Sequence, residues 1–437
     1  MVLFVLYVEP LIRSIHASSS GVLVYGKFLK VIAYADDITV FVRSQKEFDD
    51  LMIIVSAFTK YAKISINVEK SCFVRINNVI SGPQLIREVD EVTILGVTIC
   101  RSWAKTIDVN YSRLIKSLQH RIIINELRNI NLIQRTWILN TFILSKLWYI
   151  AQVFPPRNCH LAKIKSLVGR FLWKNAIFRV ARNQLYLPFH KGGINLVDPE
   201  SKCKALFIRN VIKEENDDVG EEEYLLEYRN KGQLTRNVKD WLEIASQVKG
   251  KSWSESSKLL YDFFVSKLNI TVNCEEQHPQ TDWVVIWCNW SRNFLNSEDK
   301  SNVYLLLNDV LPNKEKLQAY GIGRLPDTNC SKCGVPDNNL HKLVECERGK
   351  SIREWVTQIL RSRLKIEYRR IDDILLWNIH NEPRQNAALW LAVHYMSWVI
   401  NPVNTDSLYV FQKSIREIRW SNRNMFNKYF GTFLNIC

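Results

Sequence analysis

Apolar positions along the first hundred residues change period twice. From Phe28 to Val42 the chain is apolar and β-branched on both sides of Ala35-Asp36-Asp37, which predicts a β-hairpin with two adjacent carboxylates at its tight turn. A helix follows. Ser44 with Glu47 three residues on makes a capping box, and Phe48, Leu51, Met52, Val55, Phe58 and Ala62 recur on one face that should pack against a sheet. Short strands are predicted at Cys72 to Ile76 and Val92 to Ile99, so residues 1–100 read as an α+β layer, one sheet with helices on a face. The opening Met-Val-Leu-Phe-Val-Leu-Tyr-Val, too short to span a bilayer and lacking the features of a signal peptide, reads as a core segment.

From Asp108 onward helical periods take over. Tyr111, Leu114, Ile115 and Leu118 form one stripe; Leu132, Ile138, Leu139, Phe142 and Leu147 form the next, stopped by Pro155-Pro156. Further helices are predicted over Leu161 to Trp173 and Cys203 to Val211, with a Gly192-Gly193 loop between them. Lys213 to Glu227 is dense in acids and reads as a solvated helix or linker. Beyond Lys231 the pattern is mainly helical, with tryptophans at 241, 253, 283, 287 and 290.

Charge adds a partner to this picture. With 59 Lys and Arg against 44 Asp and Glu, the 437-residue chain carries +15, which suits a polyanion better than an acidic small substrate. No stretch approaches a membrane span of about 20 apolar residues. Ten scattered cysteines do not frame a secreted disulfide scaffold and favour a reducing compartment.

Two clusters carry candidate chemistry. Two neighbouring carboxylates such as Asp36 and Asp37 cannot both sit buried and ionised without a counter-charge, and Mg²⁺ is the usual remedy because it takes carboxylate and phosphate oxygens; a solvated acidic turn is the alternative. Cys330, Cys333, His341 and Cys346 give Cys-x₂-Cys-x₇-His-x₄-Cys, a set suited to one tetrahedral Zn²⁺, with Gly334 allowing the bend after the first pair. Buried free thiols beside an unrelated His are the alternative there. Cys72, Cys100 and Cys203 read as small core residues, and Trp377, Trp390, Trp398 and Trp420 as core packing rather than base-stacking surfaces.

Ala33-Tyr34-Ala35-Asp36-Asp37-Ile38 resembles the Tyr-x-Asp-Asp box on the palm hairpin of reverse transcriptases. Ile66-Asn67-Val68-Glu69-Lys70-Ser71 resembles the element after the palm helix, and Ile94-Leu95-Gly96-Val97 the primer-grip turn. Leu6 to Ile12, Leu144 to Tyr149, Phe171-Leu172-Trp173, Lys191 to Ile194 with Asp198-Pro199, and the Cys/His cluster followed by Trp355 are similar to non-LTR (LINE-type) retrotransposon enzymes in the same order.

The resemblance implies a partial palm at 1–100, a helical thumb and post-thumb region at 108–212, an acidic linker and helices at 213–325, a zinc module at 326–360 and C-terminal helices at 361–437. It implies Mg²⁺ on Asp36 and Asp37, a cation at Lys70 beside the leaving pyrophosphate or merely solvated, and nucleic-acid or primer contact at Tyr34 and Gly96. Asn67 reads as a turn former. Lys332, Lys342, Arg348, Lys350 and Arg353 are either phosphate contacts or a solvated face.

The family's third metal-binding Asp and its Gln-Gly-x-x-x-Ser-Pro-like segment, which precede the helix ended by Glu9, are not in this sequence. The expectation is an N-terminally truncated RNA-directed DNA polymerase with an incomplete site and an exposed palm edge, inactive alone. The alternative is a non-catalytic nucleic-acid-binding protein derived from a retroelement. RNA and DNA are the implied partners, a nuclear or cytoplasmic location the implied setting, and oligomeric state is left open.

Overall fold

The computed structural model describes residues 2–24, 27–64, 66–75, 86–174, 180–215, 257–321, 327–376, 379, 381–401 and 403–434. Among them all eight strands precede residue 101 and the rest is helical, an α+β chain with its β structure at one end. Two compact units divide it. One comprises Met1–Leu118, Lys146–Lys163 and Glu200–Phe264; the other comprises Gln119–Ser145, Ile164–Pro199 and Val265–Cys437.

In the first unit, helix α1 (Val2–Ser18) carries Val8, Leu11 and Ile15 on one stripe, packed with Val55 of helix α2 (Gln45–Ala62). Val31, Ile38 and Val40, from strands β3 (Val31–Tyr34) and β4 (Asp37–Val40), close that core from the other side. The predicted inward face of α2 is therefore covered by a helix and a hairpin. Two earlier expectations fail here. α1 continues through Pro10 instead of ending at Glu9, because its apolar stripe runs on to Ile15. And Leu3, Phe4, Val5, Leu6 and Tyr7 are exposed, so of the opening segment only Val8 is core among the residues whose side chains are described.

Ser44 caps α2 as its pattern requires, accepting the Glu47 N–H at 3.2 Å. The reciprocal half of the capping box is replaced: the Glu47 carboxylate accepts from the Arg43 N–H at 2.8 Å and from Ser20. Burial alone would raise the Glu47 pKa, yet the Ser20 and Arg43 hydrogen bonds hold it below the usual carboxylate value.

The single predicted sheet is four separate two-stranded ones: β1 (Val22–Val24) with β2 (Lys27–Leu29), β3 with β4, β5 (Cys72–Phe73) with β6 (Arg87–Glu88), and β7 (Glu91–Ile94) with β8 (Val97–Cys100). All are antiparallel except the β5–β6 pair. Strands of two to four residues satisfy few ladder bonds, and three of the pairs spend them on their own hairpin partner. Cys72 is exposed, not core, whereas Cys100 and Cys203 are buried as expected.

Helix α3 (Trp103–Glu126) buries all four predicted stripe residues. Tyr111 stacks on His160 at 4.9 Å and donates its hydroxyl to the Phe154 carbonyl at 2.8 Å, while Arg157 grips Asp108 with bonds of 2.8 and 3.0 Å.

The next helical run is broken in an unpredicted way. Between α4 (Leu132–Ile138) and α5 (Ser145–Val153), Leu139–Ile143 form a π turn. Its extra residue turns Phe142 outward, 62% exposed, and seats Ile143 and Leu144 inside. Helices α6 (Asn158–Trp173), α7 (Arg182–Leu185) and α8 (Pro199–Glu215) follow. The acidic run Lys213–Glu227, apart from the backbone of its first residues, lies outside the described residues, as do Trp241, Trp253 and Trp377.

Helices α9 (Ser257–Ser266) and α10 (Asn273–Gln277) precede an aromatic core in the second unit. Trp283 and Trp287 of α11 (Trp283–Trp290) stack at 5.3 Å, and Trp290 stacks on Tyr304 of α12 (Ser297–Leu307) at 5.1 Å. After α13 (Lys314–Ala319) and α14 (Lys350–Gln358), the unit centres on α15 (Pro383–Ile400), buried from Asn386 to Ser397. Helices α16 (Leu408–Ser421) and α17 (Arg423–Phe430) pack over it. Trp390 is core as expected and Trp398 half-buried, but Trp420 is 85% exposed, which overturns the core reading for that residue.

Candidate acidic hairpin and metal centre

The β3–β4 register pairs Val31 with Val40, Ile32 with Thr39, Ala33 with Ile38 and Tyr34 with Asp37. Since successive strand residues face opposite ways, Val31, Ile38 and Val40 point into the α1–α2 core, and Tyr34 and Asp37 share the other face. The two-residue turn is Ala35-Asp36, with Ala35 held at φ +54°. Tyr34, Asp36 and Asp37 are all exposed. Neither carboxylate has a hydrogen bond or ion pair among the described residues, and no third acidic side chain gathers with them there.

Lys70 sits on a separate turn. Asn67 builds it, its side-chain oxygen accepting the Lys70 N–H at 3.1 Å and its carbonyl accepting the Ser71 N–H at 2.9 Å, so the expected turn role of Asn67 is observed. The Lys70 ammonium is exposed and makes no bond to Asp36 or Asp37.

Leu95 and Gly96 form the two-residue turn of β7–β8, both with positive φ (+48° and +80°), the pattern of a type I′ hairpin. Tyr149 donates its hydroxyl to the Leu95 carbonyl and passes 3.9 Å from where a Gly96 Cβ would stand. Sequence reasoning assigned Tyr149 no role, and a partner 54 positions away leaves no local signal.

Cys330, Cys333, His341 and Cys346 do converge. Their ligand atoms all lie within 4.8 Å of one another. The Cys330 N–H donates to the Val335 carbonyl at 2.7 Å and the Gly334 N–H to Cys330 at 2.9 Å, a tight knuckle that Gly334 permits at φ +72°. His341 and Cys346 bracket a π turn (His341–Glu345) closed by the Cys346 N–H on the His341 carbonyl at 2.7 Å.

The residues fit zinc. A Zn–S bond of about 2.3 Å in tetrahedral geometry sets sulfurs about 3.8 Å apart. Cys346 Sγ lies 3.8 Å from Cys330 Sγ and 3.7 Å from Cys333 Sγ, nearly twice a disulfide length of about 2 Å. His341 is buried with neither ring nitrogen hydrogen-bonded, a costly arrangement unless one nitrogen serves an ion. The thiols are poised unequally. Burial would raise Cys330, but backbone N–H groups of Lys332 and Cys333 pull it down to about 6; burial pushes Cys346 up to about 12. One negative charge is thus accommodated before any metal binds, and a dication is what would let the remaining thiols ionise.

The basic residues around this centre are occupied within the chain. Lys332 and Arg348 pair with Asp406 at 2.6 and 3.4 Å, Lys350 with Glu347 at 3.3 Å, Arg353 bonds the Cys346 carbonyl at 3.0 Å and Lys342 the Pro312 carbonyl at 3.3 Å. They brace the module against its neighbours.

Residues 2–99, spanning α1 through β8 almost to its end, match the sequence model of the family described as reverse transcriptase (RNA-dependent DNA polymerase). Over that span the chain resembles reverse transcriptases, a family whose members bind nucleic acid and typically use Mg²⁺. No curated protein matches the chain. No helix among the described residues is long and apolar enough to cross a membrane.

Proposed function

We propose that the chain is part of an RNA-directed DNA polymerase of the non-LTR (LINE-type) retrotransposon class, acting on RNA and DNA in the nucleus or cytoplasm. The observation that carries this reading is the β3–β4 register: it sets Asp36 at the turn and Asp37 beside Tyr34 on the face turned away from the α1–α2 core.

Mg²⁺ bound there supplies Lewis-acid activation for attack of a primer 3′-hydroxyl on the α-phosphate of an incoming deoxynucleotide. Asp36 and Asp37 would hold the ion through oxygen ligands offered from one rigid turn. Lys70 presents a cation for the charge that builds on the leaving pyrophosphate. Gly96, without a side chain, lets the primer backbone come close, and Tyr149 steadies that turn. Cys330, Cys333, His341 and Cys346 would hold Zn²⁺ in a structural role, since all four ligands come from the chain.

A second reading is favoured by one feature, the pairing of only two carboxylates in the hairpin among the described residues. Affinity and geometry of a metal site depend on its full ligand set, so this reading makes the chain a non-catalytic nucleic-acid binder of retroelement descent. Primer extension on an oligo-primed RNA template with Mg²⁺ separates the two. Extension by the purified chain that disappears in Asp36→Asn/Asp37→Asn supports the polymerase. Retained oligonucleotide binding with no extension by either form supports the binder.

A further inference from the structure

Helix α16 divides into two opposed faces. Phe411 and Ile415 are buried, Phe411 packing on the rings of His394 and Trp398 at 5.3 Å each and on Trp355 at 6.1 Å. At 3.6 residues per turn the stripe directly opposite consists of Tyr409, Lys413, Arg416 and Trp420. All four are exposed, Trp420 at 85% and Tyr409 at 66%. The two aromatic rings stand eleven residues apart, about 16 Å along the axis, with the two cations between them. Arg416 lies 6.0 Å over the Tyr409 ring, and Lys413 has only a long contact of 3.8 Å to the exposed Glu417.

A large indole left in water without an intramolecular partner asks for an external one. Charge narrows the choice. Through α16 and α17, from Leu408 to Phe430, the basic residues are Lys413, Arg416, Arg419, Arg423 and Lys428 against Glu417 as the one acid. A membrane surface would need the apolar face of the helix, and that face is already spent on α14 and α15. What remains outward is flat aromatic area interleaved with cations, the combination that holds single-stranded nucleic acid by base stacking and phosphate contact.

We infer that the Tyr409–Lys413–Arg416–Trp420 stripe of α16 is a binding surface for single-stranded RNA or DNA. It rests on the nucleic-acid reading above only for its class of ligand and uses no residue of the acidic hairpin or the metal centre. Bases stack on Trp420 and Tyr409 while Lys413 and Arg416 meet the intervening phosphates.

The test is fluorescence anisotropy of labelled oligo(dT) and oligo(U) titrated with the full chain at several salt concentrations. Trp420→Ala and Tyr409→Ala should each weaken binding about tenfold, the scale of one base–aromatic stack, and Trp420→Phe should recover most of the loss. Lys413→Gln/Arg416→Gln should lower the slope of log affinity against log salt by about 1.4. Absence of primer extension by the parent chain leaves this result standing, and unchanged affinity in the aromatic variants leaves the polymerase reading standing. Unchanged affinity in both aromatic variants overturns the proposal. So does Trp420-dependent capture of phosphatidylserine vesicles without oligonucleotide binding, which would make the stripe a membrane contact.

Discussion

Asp299 is buried to 1% exposure in the first turn of α12, its Oδ2 without a hydrogen-bond partner, and burial pushes its pKa up to about 7. The folded chain therefore keeps a proton that the unfolded chain releases near pH 4. The associated stability is complete below about pH 4 and is lost as pH rises through about 7, up to about 4 kcal/mol in all. Asp299→Asn removes that titration. Urea unfolding at pH 5 and pH 8 should show the variant gaining on the parent as pH rises; a difference that does not move with pH would mean that Asp299 does not titrate in this window. Nothing in the sequence marks Asp299, because its burial comes from long-range packing. Trp420 was misread as core for the converse reason: a tryptophan among apolar neighbours looks internal until the helix phase around it is fixed by Phe411 and Ile415. The convergence of the Cys/His set was legible because metal geometry constrains the types and spacing of such residues.

At the scale of elements, local chemistry was readable and long-range pairing was not. The β3–β4 hairpin, the Ser44 cap and the α3 stripe follow from nearest neighbours along the chain. The Ser20 hydroxyl that takes up the Glu47 carboxylate lies 27 positions away and leaves no local signal, and strands of only two to four residues give a hydrophobic period too short to show that the sheet divides into four pairs. The β7–β8 turn offers a sharp test. Leu95 pays for a positive φ that Asn tolerates, and Asn-Gly is the preferred pair for this turn. Leu95→Asn should stabilise the first unit by about 0.5 kcal/mol and Gly96→Ala should cost about 1 kcal/mol. Chemical denaturation read by circular dichroism would decide, and a stabilising Gly96→Ala would rule out the I′ assignment.

For the whole molecule, the Cys/His cluster belongs to the second unit and the acidic hairpin to the first. Chelation should therefore act regionally. On adding a strong zinc chelator, amides from 327 to 350 should lose protection from hydrogen exchange while those of α2 and α3 keep theirs; uniform loss would show that the metal supports the entire chain. His341→Ala should reproduce the regional loss and abolish co-purifying zinc. The α+β class and the helical remainder were visible from hydrophobic period alone, whereas the division into two discontinuous units was not, since each is assembled from three separated segments.

The π turns bear on how this chain is compared with others. Leu139–Ile143, His341–Glu345 and Ile359–Arg363 all fall in the second unit. Each carries one residue more than an α-helical turn requires. An alignment to a chain with an unbroken α-helix at the first of them needs a one-position gap there. Forced through without it, the outward Phe142 is matched to an inward apolar position, and every residue from there to the end of α5 is compared with the wrong neighbour.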